Sequence, residues 1–187
     1  MVRRLLSQGC LTQGFDAPAH GQTAGTQTNG FEIAQAIATV VNVVAPIDCA
    51  IAHSLGAASM TLALSEGITC RKVVFLAAVC WLSNSLTKFA KLNRLSPEIE
   101  VKLRFLMEEK FGKEVWERVS VDRRVANLHI PALLFHDTGD REVDFEESRA
   151  IAQAWHGAQL VATSGLGHKR ILRNERVIQQ AVDFINF

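Results

Sequence analysis

Short apolar segments alternate along this chain with longer segments in which apolar residues recur at helical spacing. The apolar segments cover residues 10–15, 48–53, 72–77, 131–136 and 159–163, and the helical patterns cover residues 31–44, 55–65, 145–155 and 173–185. Runs that are apolar at consecutive positions are typical of strands buried on both faces. The alternation therefore predicts an α/β fold, with a mostly parallel sheet covered by helices on both faces.

One connection, residues 81–127, is much longer than the few residues that usually join two elements. Inside it, Ser96 and Pro97 are followed by Glu98 and Glu100, a pattern that predicts the start of a helix. We interpret this region as a small helical cap inserted over the sheet edge. An ordinary pair of surface helices without function is the alternative. The remaining chain shows no linker or repeat, so we expect one domain over residues 1–187.

Charge and composition exclude several classes of function. The chain has 20 basic and 19 acidic residues, and this balance predicts neither nucleic acid nor an anionic membrane as a partner. No apolar run reaches the roughly 18 residues of a membrane span. Only two apolar residues follow the N-terminal arginines, too few for a secretory signal. The four cysteines lack CxxC spacing, so neither zinc nor a redox pair is predicted. Most of them lie in or beside apolar runs, which favours free thiols in a reducing, cytoplasmic setting.

Residues 51–58 read IAHSLGAA and join the end of an apolar segment to the start of a helix of small residues. This motif resembles the nucleophile elbow G-x-S-x-G of the α/β-hydrolase family, with Ser54 as the nucleophile and Ala52 in place of the first glycine. A sharp strand-to-helix turn of this kind exposes the serine hydroxyl. The resemblance also implies that the Leu55 amide is an oxyanion donor at the helix N-terminus. The alternative is that Ser54 only caps the helix.

Two downstream segments resemble the rest of that family's catalytic machinery. In residues 130–143, IPALLFHDTGDREV, Asp140 matches the acid position, and Asp137 is the competing carboxylate. In residues 160–172, LVATSGLGHKRIL, Gly167 and His168 match the glycine and histidine that supply the base. The chain order Ser54, Asp140, His168 is the order of α/β-hydrolases, and the resemblance implies a triad in which the acid orients the imidazole.

The family resemblance implies a serine hydrolase that acts on an ester or related acyl bond of a small molecule through an acyl-enzyme. We expect no cofactor and no metal. His53 is expected to be structural or adjacent to the substrate, and Trp81, Phe89 and Phe105 are expected to form the apolar wall of an acyl pocket.

Residues 16–23, DAPAHGQT, resemble the family segment D-x-P-G-H-G-x-S that follows the fourth strand, with Ala19 in place of a glycine. Only fifteen residues precede this segment. The resemblance therefore covers a partial α/β-hydrolase fold without the third strand and its oxyanion loop. Without that strand the elbow strand has an unpaired edge. We predict that residues 10–15 lie beside the elbow strand, or that two chains pair there as a homodimer.

A second hypothesis belongs to another class: a catalytically impaired α/β-hydrolase remnant that serves as a binding or assembly module. The missing oxyanion loop favours it, and the intact set of Ser54, Asp140 and His168 argues against it. A nucleotide-binding domain is disfavoured, because the sequence has neither G-x-G-x-x-G nor a P-loop.

Overall fold

A computed structural model describes residues 1–186 of the chain. Four parallel strands form one sheet in the order β1-β2-β3-β4, so each strand lies beside the next strand in the sequence. The strands are β1 (Cys49–His53), β2 (Lys72–Leu76), β3 (Ala132–Asp137) and β4 (Ala158–Thr163). The helices are α1 (Val2–Ser7), α2 (Gly30–Val44), α3 (Leu55–Ser65), α4 (Leu82–Leu92), α5 (Pro97–Phe111), α6 (Val115–Arg118), α7 (Val121–Val125), α8 (Phe145–Ala154), α9 (Gly167–Arg170) and α10 (Glu175–Asn186), with a 3₁₀ turn at Ile171–Arg173. The predicted α/β architecture is confirmed.

The two faces of the sheet carry different helices because successive strand residues point to opposite sides. On β2, Val73 and Phe75 pack with α2, α3, α7 and α8, whereas Val74 and Leu76 pack against α10. All four side chains are at most 1% exposed. The helices therefore cover both faces, as the apolar runs of the buried strands predict.

The predicted strand at residues 10–15 is wrong. The structure has no strand there, and Leu11 is fully exposed. The elbow strand β1 is hydrogen-bonded to β2 and forms one edge of the described sheet, where Ile51 is 36% exposed. A single extended segment without a neighbouring strand has no partner for its backbone groups. The alternative version, in which two chains pair at this edge, stays a prediction.

The loop at residues 16–23 is organised by Asp16. Its carboxylate accepts the Gln22 N–H at 2.9 Å, and its carbonyl accepts the Thr23 hydroxyl at 2.7 Å. Gly21 has a φ of +51°, and a Cβ on it would lie 2.1 Å from Asp16 Oδ2. A side chain at residue 21 would displace the Asp16 carboxylate and its bond to Gln22, and the positive φ also favours glycine, so the acid and the glycine of this segment form one turn.

The long connection between β2 and β3 consists of helices α4 to α7. Helices α4 and α5 contact each other, and α5 has no buried residue. Helix α7 differs, because Val121 and Val125 are buried in the main core against α3 and α8. Helix α7 therefore belongs to the main core, and a helical cap formed by the rest of residues 81–127 stays a prediction. None of the helices in the described part of the chain combines the length and apolar character of a membrane span.

Candidate active site

The carboxyl ends of the parallel strands meet at one edge of the sheet. His53 at the end of β1 pairs with Leu76, and Asp137 at the end of β3 pairs with Thr163 at the end of β4. The segments that follow these strands therefore begin side by side. They carry Ser54, Asp140 and His168, the three residues expected from the sequence to act together.

Ser54 lies at the turn between β1 and α3 with φ 54° and ψ −125°. A positive φ at a residue with a Cβ costs roughly 1–3 kcal/mol, so the surrounding fold must hold it there. The Ser54 N–H donates to the Leu76 carbonyl at 3.0 Å. Its side chain makes no capping hydrogen bond to α3, although the residue occupies the N-cap position. The alternative in which Ser54 only caps the helix is therefore wrong.

The Ser54 hydroxyl is hydrogen-bonded to the base instead. Ser54 Oγ lies 3.0 Å from His168 Nε2, and His168 Nδ1 lies 2.7 Å from Asp140 Oδ2. A carboxylate only accepts, so Nδ1 carries the proton and Nε2 offers its lone pair to the serine. The structure brings all three predicted side chains into one hydrogen-bonded chain. This hydrogen-bonded relay can pass a proton from the Ser54 hydroxyl to the His168 imidazole, which Asp140 holds in place.

Asp140 is held as an ionised acceptor. Its Oδ1 accepts the backbone N–H groups of Glu142 at 2.8 Å and Val143 at 3.0 Å. Burial favours the neutral acid, but the hydrogen bonds from His136, His168 and these two amides outweigh it, so the pKa of Asp140 lies well below its usual range. The group is therefore a carboxylate at neutral pH.

His136 stands behind Asp140 and is fully buried. Its Nε2 lies 3.1 Å from the Val143 carbonyl and 3.5 Å from Asp140 Oδ2, and its Nδ1 lies 2.6 Å from Ser148 Oγ. Both groups near Nε2 only accept, so Nε2 carries a proton and the Ser148 hydroxyl can donate to Nδ1. His136 is therefore packed in the core, and it also places a donor near the acid.

Asp137, the competing carboxylate, is also fully buried but faces other partners. Its Oδ1 accepts the Gly139 N–H at 3.0 Å. Its Oδ2 accepts the Leu166 N–H at 2.8 Å and the Thr163 hydroxyl at 2.9 Å. The carboxylate that meets His168 Nδ1 is therefore that of Asp140.

The base sits at the start of a short helix that begins with a left-handed residue. Gly167 has a φ of +64°, which favours glycine, and His168 follows it with its side chain 7% exposed. His53 contacts the same segment, because its Nε2 lies 3.0 Å from the His168 carbonyl oxygen. Burial lowers the pKa of His53 and the nearby His168 ring adds to this, despite the hydrogen bond to the carbonyl.

The remaining predicted residues lie at different distances from this centre. Leu55 opens α3, and the first N–H groups of a helix have no intrahelical acceptor, so its amide is free to face an oxyanion. A cavity of about 20 Å³ adjoins Leu55 and is lined also by Val79 and Leu82. None of the other three predicted residues lines this cavity: Trp81 donates its ring N–H to Asp122 at 3.1 Å, and Phe89 and Phe105 are 54% and 58% exposed.

Within residues 1–186, histidine, cysteine and acidic side chains form no group of three or more that could hold a metal ion. The two histidines beside each other, His53 and His168, are committed to a backbone carbonyl and to Asp140.

Comparison with known proteins agrees with this geometry at the level of the fold. Residues 112–185 match the family described as TAP-like protein. The structure is similar to a monoacylglycerol lipase from Paleococcus ferrophilus, with TM-score 0.75, 16% identity, and coverage of 98% of this chain and 86% of that one. An esterase from Exiguobacterium antarcticum gives TM-score 0.73 at 15% identity and coverages of 99% and 85%.

A third similar structure is the esterase domain of a Rhodothermus marinus protein, with TM-score 0.58 and 22% identity. The match covers 83% of this chain and 65% of that domain, so the chain spans less than two thirds of its length. No curated protein sequence matches the chain. At these identities the likenesses concern the fold, and the activities are those of the neighbours.

Proposed function

We propose that this chain, which has the α/β-hydrolase fold, is a serine hydrolase that cleaves an ester or related acyl bond. The observation that carries the proposal is the hydrogen-bonded chain from Ser54 Oγ through His168 to Asp140, with separations of 3.0 and 2.7 Å. These are the distances at which a nucleophile and its base exchange a proton. The esterase and lipase neighbours support the same class of reaction.

In the first half of the reaction, Ser54 Oγ attacks the acyl carbonyl carbon while its proton passes to His168 Nε2. Asp140 stabilises the imidazolium that forms, because its carboxylate stays ionised and bonded to Nδ1. The carbonyl oxygen becomes negative and accepts the Leu55 N–H at the start of α3, where the helix dipole also favours negative charge. His168 then gives its proton to the leaving alcohol, and an acyl-enzyme remains.

In the second half, water attacks the acyl carbon and gives a proton to His168 Nε2. The same oxygen regains negative charge, and collapse of the intermediate breaks the bond to Ser54 Oγ, which takes the proton back. The carboxylic acid product is released, and Ser54 and His168 return to their starting protonation states. No step needs an organic cofactor.

The proposed substrate is a small molecule with an acyl group. Short-chain esters are the first substrates to test. Trp81, Phe89 and Phe105 remain proposed contacts for the rest of the substrate.

Cys10, Cys49, Cys70 and Cys80 are all free thiols, which fits a reducing, cytoplasmic setting.

Hydrolysis of short-chain p-nitrophenyl esters by the purified chain tests the proposal. We expect saturable release of p-nitrophenol, and a fall in kcat on the order of 10⁴-fold or more in Ser54→Ala. Val182→Ala is the matched control and should keep its activity per folded molecule, because Val182 on α10 packs in a separate cluster with Leu5 and Ile178. Equal rates for the native chain and Ser54→Ala would contradict the proposal.

A second candidate function, a binding or assembly module, rests on the edge of the sheet. The backbone of β1 has no further strand beside it among residues 1–186, and Ile51 is 36% exposed there. Such an edge is a template for pairing with another chain. Under this candidate the native chain is well folded but inactive toward all esters, and its sedimentation reports a dimer.

A further inference from the structure

The acid and the base sit on two separate connections, and their 2.7 Å contact depends on how these connections are held together. Asp140 belongs to the turn after β3, and His168 belongs to the loop after β4. The strand ladder itself stops at the pair Asp137 and Thr163. Asp140 lies three residues after Asp137, and His168 lies five residues after Thr163. Because both lie beyond the paired strands, a contact outside the sheet must fix the distance between them.

Asp137 makes that link. Its Oδ1 accepts the Gly139 N–H, which closes the turn that carries the acid. Its Oδ2 accepts the Leu166 N–H, two residues before the base, and the hydroxyl of Thr163 at the end of β4. One carboxylate therefore bonds to both connections.

Burial makes these bonds strong and their loss costly. Asp137 is fully buried, and a hydrogen bond to a buried charged group contributes more than one to a neutral group. Burial favours the neutral acid, yet the donors from Leu166, Gly167, Thr163 and Gly139 outweigh it and lower the pKa of Asp137. The approach is tight, since a Cβ on Gly139 would lie 3.3 Å from Asp137 Oδ1.

We propose that Asp137 is a positioning residue that holds the His168 loop against the Asp140 turn, so that the imidazole meets both its acid and the Ser54 hydroxyl. This inference rests on the proposed function for its catalytic consequence. Asp137 touches none of the reacting atoms, and its effect is transmitted through Leu166 and Gly139. A displacement of about 1 Å at a reacting centre can cost a hundredfold in rate.

Two substitutions of Asp137 should weaken the bonds between the two connections to different extents. In Asp137→Ala both connections lose their acceptor. In Asp137→Asn the oxygen can serve either Gly139 or Leu166, and in either orientation the NH₂ group meets a backbone N–H. We expect kcat to fall about 10- to 100-fold in Asp137→Ala and less in Asp137→Asn, with KM nearly unchanged because the substrate contacts are kept.

Thr163 provides the conservative pair. Thr163→Val removes one of the donors to Asp137 Oδ2, and Thr163→Ser keeps it, so the valine variant should lose activity and the serine variant should recover it. Val182→Ala is the control for general loss of stability, since this α10 side chain is buried against Leu5 of α1. If Asp137→Ala loses no more activity per folded molecule than Val182→Ala, the inference is wrong.

A readout independent of turnover separates this inference from the proposed function. Hydrogen exchange of the Leu166 amide should speed up in Asp137→Ala far more than global unfolding accounts for, and the low-field proton resonance of His168 Nδ1–H should weaken. In Val182→Ala both should stay as in the native chain. If the native chain is inactive but these two signals change as described, the positioning role stands and the serine hydrolase proposal fails. Unchanged signals in Asp137→Ala would overturn the inference whatever the activity.

Discussion

Replacement of Asp140 by asparagine changes only one group of the site, yet it should reverse the direction of a critical hydrogen bond. In the native chain Oδ1 accepts two backbone N–H groups, from Glu142 at 2.8 Å and Val143 at 3.0 Å. An asparagine satisfies both donors only with its oxygen at that place. Its NH₂ group must then occupy the position that faces His168 Nδ1 at 2.7 Å.

The NH₂ group donates, so His168 Nδ1 must accept and its proton moves to Nε2. Nε2–H then points at Ser54 Oγ, 3.0 Å away, and cannot take the serine proton. In serine hydrolases with this arrangement the same exchange lowers kcat about 10⁴-fold. At 1.36 kcal/mol per tenfold, this corresponds to about 5.5 kcal/mol of transition-state stabilisation.

The assay is steady-state hydrolysis of a p-nitrophenyl ester at neutral pH, with thermal unfolding measured in parallel. Glu142→Gln is the matched control, because it makes the same carboxylate-to-amide change in the same turn and keeps the backbone N–H that bonds Asp140. We expect a native kcat in the control, and a large loss of kcat with little change in KM in Asp140→Asn. If the asparagine variant keeps more than about a tenth of the native kcat, a difference under 1.4 kcal/mol, the assigned orientation of the relay is wrong.

Two further predictions concern stability. The pKa values of Asp137 and Asp140 are lower in the folded chain than in the unfolded one, so at acid pH the unfolded chain binds more protons and stability falls as the pH drops below about 4. Urea unfolding from pH 6 to pH 3 should show this loss, and a smaller loss in Asp140→Asn; equal slopes would refute the link. Asn29 caps α2 by accepting the N–H groups of Phe31 at 3.0 Å and Glu32 at 3.1 Å, so Asn29→Ala should lower the free energy of unfolding by about 1 kcal/mol and Asn29→Ser by much less. Equal urea midpoints for the two variants would contradict the capping role.

Much of the fold follows from short-range patterns in the sequence. The apolar segment before Ser54 and the small residues after it predict β1 and the full span of α3, Leu55–Ser65. The order of the three candidate catalytic residues along the chain, taken with parallel strands, predicts that they meet at one edge. This succeeds because each of the elements is specified by its own residues and the topology then brings their ends together.

The strand predicted at residues 10–15 is wrong because strand formation depends on contacts that the local sequence does not specify. An apolar run becomes a strand only when a neighbouring strand supplies hydrogen bonds, and no local pattern reports on that neighbour. Leu11 and Phe15 satisfy the pattern but are exposed in a loop. Gly56 occupies the last glycine position of the elbow motif, yet a Cβ on it would meet nothing within 4 Å.

The sequence does not predict the hydrogen-bond partners of the acidic side chains at this site. Asp137 and Asp140 lie three residues apart, and only the family resemblance favoured Asp140 as the one that faces the base. The answer depends on donors such as Leu166 and Thr163, more than twenty residues away. The contact of His53 with the His168 carbonyl spans 115 positions and has no sequence signal of its own.

Covalent labelling by a fluorophosphonate tests the central claim most directly, because the probe reacts with a serine only when a base activates the hydroxyl. The account predicts one adduct per native chain, located on the peptide that contains Ser54. It also predicts no adduct in Ser54→Ala and a strongly slowed reaction in His168→Ala. A folded native chain that remains unlabelled, or an adduct that persists in Ser54→Ala, would contradict it.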